Sequence, residues 1–338
     1  MPHGRRDYEK RENPLFLVPL HGTLAAVNVP AAVDLGVQVG ALRLRNPVIA
    51  ASGTFGYGLE LAPLVDLNRL GGVVVKGLSR EPMDGAPAPR LCETPSGMLN
   101  AVGLQNIGVR AFVREKLPGL RKWDTAVVAN VFGYSIEDYV EVIRILEDAE
   151  GLAAYELNIS CPNVKRGGMQ FGSEPGLAAE VTAAARNAAV RRPLWVKLSP
   201  LVTDIGVIGH AVETAGADAL TVANTYPAMT VDCRTRRSRI GSLTGGLSGA
   251  AIKPLTLRQV LIVRNSVRVP VIGLGGIDCP EDVIEYLIVG ATAVQVGTAS
   301  FADPMATERI VAGLTGLCAS INVSNISELA GTITENSA

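Results

Sequence analysis

Short apolar, β-branched runs alternate with longer amphipathic stretches from about residue 36 almost to the end of the chain, and this alternation restricts the fold more than any other feature. A run of four to six such residues is too short for a stable helix, and it suits a parallel strand buried on both faces. Candidate strands fall at 47–51, 72–76, 126–131, 154–159, 194–198, 219–223, 270–274 and 293–296. Helical patterns lie between them at 136–147, 176–189, 203–215, 252–265 and 280–289, and a further one follows the last strand at 304–317. Eight strands joined by helical crossovers predict an α/β protein with a single (β/α)8 TIM barrel, rather than an open doubly wound sheet. The dinucleotide alternative fails on its own motif. Gly273-Leu274-Gly275-Gly276 begins like a fingerprint, but Asp278 stands at the third glycine position and the motif comes late in the chain.

A length of 338 residues suits one barrel with insertions. With 48% hydrophobic and 19% charged residues, the chain can bury a large core. A net charge of −1 supplies no basic field for nucleic acid or an anionic membrane, so neither is expected as a partner. No apolar run approaches the roughly 18 residues of a membrane span. We divide the chain into an irregular N-terminal leader (1–35), a catalytic barrel (36–331) and a flexible C-terminal tail (332–338). In the leader, Arg5-Arg6 ahead of an apolar stretch suggests an export signal, but the stretch is short and holds Pro19. A disordered leader on a cytoplasmic protein is the expectation. Two connections, 77–106 and 225–249, are long enough to be lids or binding loops at the C-terminal face of the barrel.

Five cysteines occur (Cys92, Cys161, Cys233, Cys279 and Cys318), with no C-x-x-C pair. Neither a disulfide framework nor a metal site is expected. Only three histidines exist, so a His-based metal site or triad is not expected either. His210 points away from the apolar stripe of its helix, formed by Ile205, Ile208, Val212 and Ala215, and reads as a surface residue.

Strands buried on both faces should be apolar throughout, yet several here end in polar residues. Lys76, Asn130, Asn158, Lys197 and Asn224 all fall at or near C-terminal strand tips. One alone would read as a satisfied structural group. Five on the rim where barrel active sites form predict a functional site. Glu156 lies earlier in its strand and suggests a structural ion pair or a barrel-filling role. Lysines suit a carboxylate, a phosphate or an electron-rich ring, and asparagines suit a planar amide or imide. A Schiff-base aldolase would also place a lysine inside a barrel. Gly275-Gly276 after the seventh strand and Gly297-Thr298 after the eighth fit the usual barrel phosphate site, although turn glycines alone would look the same. Cys161, just past the fourth strand, is either a general base toward a carbon acid or an inert residue, and its position leaves both open. The other four cysteines read as structural.

The most specific segment is Glu156-Leu157-Asn158-Ile159-Ser160-Cys161-Pro162-Asn163-Val164. With it stand Ala51-Ser52-Gly53-Thr54, Asn100-Ala101-Val102-Gly103-Leu104-Gln105-Asn106, Val196-Lys197-Leu198-Ser199-Pro200, Gly245-Gly246-Leu247-Ser248-Gly249 and Gly273-Leu274-Gly275-Gly276. On these motifs the chain resembles class 1 dihydroorotate dehydrogenases, the FMN enzymes of pyrimidine (UMP) biosynthesis, from near Gly36 to near Gly331. The resemblance implies that Cys161 removes the C5 proton of (S)-dihydroorotate while the C6 hydride passes to FMN N5, giving orotate. Membrane-bound class 2 relatives carry serine at that position. Asn100, Asn158, Asn163 and Asn224 match the asparagines around the substrate, joined by Thr225 and the backbone of Gly103 and Leu104. Lys76 matches a lysine near both flavin and substrate carboxylate. Lys197 matches the lysine at the flavin N1–O2 edge, where a cation would stabilise reduced flavin. Ser52, Gly53, Asn130, Asn158, Gly249, Gly275, Gly276, Gly297 and Thr298 match further positions around FMN.

Asn163-Val164-Lys165-Arg166-Gly167-Gly168, Val202-Thr203-Asp204-Ile205 and Lys253-Pro254-Leu255-Thr256 are similar to subtype 1B. That subtype implies a homodimer core, extended to a heterotetramer by a subunit carrying FAD and an iron–sulfur cluster that passes electrons to NAD. This chain lacks the cysteine spacing for such a cluster. Leu201 stands where the 1B pattern usually has asparagine, and Thr225-Tyr226-Pro227-Ala228 departs from the usual loop. Two rivals are a dihydropyrimidine dehydrogenase-like reductase, which typically has histidine where Asn163 stands, and a silent barrel that binds only flavin or a partner.

Overall fold

The computed structural model describes residues 33–160 and 171–335. Its centre is a closed barrel of eight parallel strands: β1 (Val48–Ala50), β2 (Gly72–Val74), β3 (Ala126–Val131), β4 (Ala154–Asn158), β5 (Leu194–Lys197), β6 (Ala219–Val222), β7 (Val271–Leu274) and β8 (Ala293–Val296). They run round the ring in chain order, and β8 closes on β1 with Val294 opposite Val48. Each strand lies within an expected run, and several are shorter at the C-terminal end because the rim residues leave the ladder. The strands bury Val, Ile, Leu and Ala almost completely, with Trp195 and Tyr155 as their largest wholly buried side chains. β-Branched residues on a twisted, doubly covered sheet stabilise such a core.

Six helices match the expected patterns: α1 (Ile136–Glu147), α2 (Pro175–Ala188), α3 (Ile205–Thr214), α4 (Lys253–Ser266), α5 (Pro280–Ile288) and α6 (Ala306–Ser320). Their starts are chemically marked. Ser135 and Asp138 form a capping box on α1, and Asp204 accepts the N–H of Gly206 at the head of α3. Proline in the first turn of α2, α4 and α5 loses no helical hydrogen bond there. His210 is exposed on α3, 3.7 Å from Glu213, as its helical position implied.

Two crossovers depart from the simple pattern. Between β1 and β2 the described residues form turns and a short 3-10 helix, Leu67–Arg69. Between β2 and β3 run Val109–Ala111, a π turn Phe112–Lys116 and Leu117–Leu120. Pro118 and Gly119 interrupt that stretch, which is why no clean helical period shows there.

The two long connections are not independent loops. Tyr226–Ala228, Gly245–Ser248, Gly97–Asn100 and Leu91–Thr94 make one four-stranded antiparallel sheet in that order, with Gly246 opposite Asn100. A small hairpin, Val231–Asp232 with Arg237–Ser238, belongs to the second connection. Cys233 sits in that hairpin and is exposed, against its reading as a structural residue, whereas Cys318 is buried. Asp34 and Ile333, outside the barrel by the boundaries drawn from the sequence, are hydrogen-bonded to the rest. Ile326 N–H donates to the Asp34 carbonyl (2.9 Å), and Ile333 N–H to that of Ile288 (3.1 Å). Among the described residues no helix is long and apolar enough to cross a membrane.

Candidate active site

The described residues singled out on strand tips all fall at the C-terminal rim. Lys197 and Asn158 close β5 and β4 and stand opposite one another in register. Asn130 is the penultimate residue of β3. Ser52, Lys76 and Asn224 each follow their strand by two residues, and Gly275 and Gly297 follow β7 and β8 directly. Lys76 is held there by its backbone N–H, which donates to the Gly56 carbonyl at 2.8 Å. Cys161 and Asn163 lie outside the described residues.

Beneath the rim, inside the barrel, Glu156 is completely buried. Its Oε1 accepts from Asn130 Nδ2 at 2.7 Å and lies 4.0 Å from Lys197 Nζ. Its Oε2 accepts from Thr221 Oγ1 at 2.9 Å and from Gln295 Nε2 at 2.5 Å. Glu156 is thus the ion-pair partner its mid-strand position suggested. Lys197 Nζ also donates to Ser52 Oγ at 3.4 Å. Burial pushes the Lys197 ammonium down from the usual lysine range, and the Glu156 carboxylate opposes that fall.

A second chain of contacts crosses the rim. Asn224 Nδ2 donates to Ser160 Oγ at 2.6 Å, and Ser160 Oγ donates to Asn158 Oδ1 at 2.7 Å. Tyr139 of α1 donates its hydroxyl to the Asn158 carbonyl at 2.9 Å. Asn224 Oδ1 accepts the Thr225 N–H at 2.8 Å. Thr225 in turn packs against Gly246, where a Cβ would fall 2.1 Å from the threonine Oγ1. Asn100 Nδ2 donates to the Gly246 carbonyl at 3.1 Å. Residues from β4, the end of β6 and both long connections therefore form one continuous polar edge. Gly103 and Leu104 follow Asn100 with φ of 75° and 61°. Leucine rarely adopts that backbone, so its presence marks a tightly determined turn.

Lys76 is half-buried, and no carboxylate among the described residues pairs with it. Burial, and then the charge of Arg90, push its ammonium below the usual lysine range. A half-buried cation of this kind is suited to an incoming anion.

The glycines divide into two kinds. Gly249 has φ of 93° and a Cβ there would fall 2.7 Å from the Gly97 Cα, so the chain itself demands glycine. At Gly276 a Cβ would fall 2.8 Å from the Gly249 carbonyl oxygen, and at Gly275 2.6 Å from Thr256 Oγ1. Gly297 differs, since a Cβ there would meet nothing closer than 3.6 Å, and at Gly53 nothing lies within 4 Å. Open space at these two positions lets a ligand approach the backbone closely. Thr298 donates to Ser248 Oγ at 2.8 Å, tying the β8 tip to the antiparallel sheet. A cavity of about 400 Å³ opens beside them, lined by Ser96, Gly249, Gly276, Ile277, Thr298 and Phe301 among others. Asp278, Cys279 and Asp282 cluster close by, but Asp282 Oδ2 caps α5 through two backbone N–H groups and Asp282 Oδ1 holds Lys253.

Sequence reasoning misses four contributors: Ser160, Thr221, Ser248 and Gln295. Thr221 and Gln295 carry a usable signal, because each is a polar residue inside an otherwise apolar strand. Ser160 and Ser248 carry none, since a serine beside a turn is ordinary.

Known proteins are similar to this chain in sequence. The family model described as dihydroorotate dehydrogenase matches residues 34–317. A protein of Solibacter usitatus named "Putative dihydroorotate dehydrogenase A (fumarate)" is 56% identical over 89% of this chain and 98% of its own length. Catalytic subunits named "Dihydroorotate dehydrogenase B (NAD(+))" from Trichlorobacter lovleyi and Thermodesulfovibrio yellowstonii are 52% and 49% identical, over 88% and 89% of this chain and 98% and 99% of theirs. With the barrel, the lysine-bearing rim and these matches in agreement, the chain belongs to the dihydroorotate dehydrogenase family.

Proposed function

We propose that this chain oxidises (S)-dihydroorotate to orotate in pyrimidine biosynthesis, with FMN as its redox group and Cys161 as the base that takes the C5 proton. One observation carries the reading. A half-buried lysine with no carboxylate partner among the described residues shares a rim with the Asn158–Ser160–Asn224 chain. That combination offers a cation for a carboxylate and amides for the edge of a planar imide, the two recognition features of dihydroorotate.

The residues present also fit the cofactor. Lys197 is a buried cation whose charge suits the N1–O2 edge of a flavin, with Ser52 beside it and Asn130 on the same carboxylate. The open space at Gly53 and Gly297, with Gly249, Gly275, Gly276 and Thr298 near the tips of β7 and β8, suits a phosphorylated tail. When bound, FMN supplies the acceptor for the hydride leaving C6. The protein's own part is to hold the substrate carboxylate at Lys76 and to take the proton at Cys161 Sγ. Asn100, Asn158, Asn163, Asn224, Thr225 and the backbone of Gly103 and Leu104 orient the ring.

Electrons pass on to NAD through a second subunit carrying FAD and an iron–sulfur cluster, a route supported by the NAD(+) in the names of the B-type relatives. The working assembly is then a homodimer of this barrel, residues 36–331, extended to a heterotetramer in the cytoplasm. The deciding assay supplies the FMN-loaded chain with dihydroorotate and a choice of acceptors. NAD reduction that starts only on adding the iron–sulfur subunit supports this reading. Fumarate reduction by the chain alone overturns the acceptor assignment, and no turnover with any acceptor overturns the activity.

A further inference from the structure

Glu156 lies in the middle of β4 with none of its surface exposed, where an ionised carboxylate is costly unless it is fully partnered. Its partners come from four other strands: Asn130 on β3, Lys197 on β5, Thr221 on β6 and Gln295 on β8. Three of the four are neutral donors. They satisfy the carboxylate's lone pairs and fix its plane, but they leave its charge to be balanced by Lys197.

The separation matters as much as the pairing. At 4.0 Å, Glu156 Oε1 is close enough to act on the ammonium as a charge but too far to take one of its N–H bonds. Lys197 Nζ directs one donor to Ser52 Oγ, at 3.4 Å. Its remaining donors are free of partners among the described residues at the end of β5.

Resting on the flavin reading above, we propose that Glu156 is a positioning residue: it keeps Lys197 protonated and held at the rim, with donors spare for the electron-rich edge of the flavin. Burial works against the lysine's charge, and Glu156 is the charged group that resists it. The other groups facing this pair, from the β1 tip and from β3, β6 and β8, are Ser52, Asn130, Thr221 and Gln295, and all are neutral. A carboxylate in the barrel interior thereby sets the reducibility of a cofactor it does not touch.

The experiment follows the Lys197 Nζ signal by 15N NMR in flavin-free protein, assigned by its loss in Lys197→Arg. In the unsubstituted protein Lys197 should stay protonated through neutral pH; a neutral amine there overturns the proposal without any Glu156 variant. In Glu156→Gln the proton affinity of Lys197 should fall by about tenfold or more, one pKa unit. In Glu156→Asp, which keeps the charge but withdraws it, the fall should be smaller. With FMN bound, Glu156→Gln should lower the two-electron reduction equilibrium by about tenfold, or ~30 mV, and lower kcat with KM for dihydroorotate little changed. An unchanged Lys197 proton affinity in Glu156→Gln overturns the proposal while leaving the proposed activity intact. A protein that takes up no FMN overturns the activity, and the flavin-free titration still decides whether Glu156 holds the proton on Lys197.

Discussion

Lys76 sets stability against binding at a single residue. Its ammonium is partly withdrawn from water and has no carboxylate partner among the described residues. Replacing it with methionine should therefore stabilise the flavin-free protein by about 1 kcal/mol, a common gain when a functional site is made apolar. The same change should raise the KM for dihydroorotate steeply, because hydrogen bonds to charged groups contribute about 1.5–3 kcal/mol each. Thermal melts and steady-state kinetics on Lys76→Met test both signs. The pH dependence has a fixed direction too. Burial lowers the Lys76 pKa, so this lysine loses its proton at a lower pH than an exposed one, which titrates at about 10.4. KM should rise as pH climbs through that lowered value. The unfolded chain holds this proton more tightly, so folding stability should increase with pH between the folded and unfolded pKa values, and Lys76→Met should remove that increment. Lys76 is legible in the sequence because a lysine interrupts a β-branched run. Ser160 is not, although it joins Asn158 to Asn224, because its role exists only once β4 and β6 are brought together.

Among the elements, the barrel strands and the six longer helices are legible from periodicity and caps, and the antiparallel sheet is not. Gly97–Asn100 and Gly245–Ser248 are short and glycine-bearing, with little alternation, and they pair across a long stretch of chain. Nothing local marks such a pairing. Its junction with the barrel rests on Gly249, where a side chain would meet both an unfavourable φ and the Gly97 backbone. Gly249→Ala should therefore push Gly97 away and weaken FMN binding by tenfold or more, about 1.4 kcal/mol, while leaving the helix content unchanged. Fluorescence titration of FMN and far-UV circular dichroism check the two halves of that statement. At the head of α1, Ser135→Ala removes the capping hydrogen bond to Asp138 and should cost about 1 kcal/mol by chemical denaturation, with FMN affinity unaltered.

For the whole molecule, eight short apolar runs separated by helical patterns and long connections leave little choice but a barrel, and a barrel places its site at the strand tips. That is why so much of the rim can be read from the sequence. The electron acceptor belongs to a different scale. Relatives with comparable identity carry the names A (fumarate) and B (NAD(+)), so the barrel alone does not separate the two chemistries. The chemistry inside it is tested most directly by mixing the FMN-loaded chain anaerobically with (S)-dihydroorotate and following the visible absorbance of oxidised flavin. The band should bleach with one orotate formed per flavin, and in Cys161→Ser the same bleaching should be slower by about 100-fold or more. A flavin that stays oxidised in the unsubstituted protein, or that bleaches equally fast in Cys161→Ser, contradicts the assignment of this site.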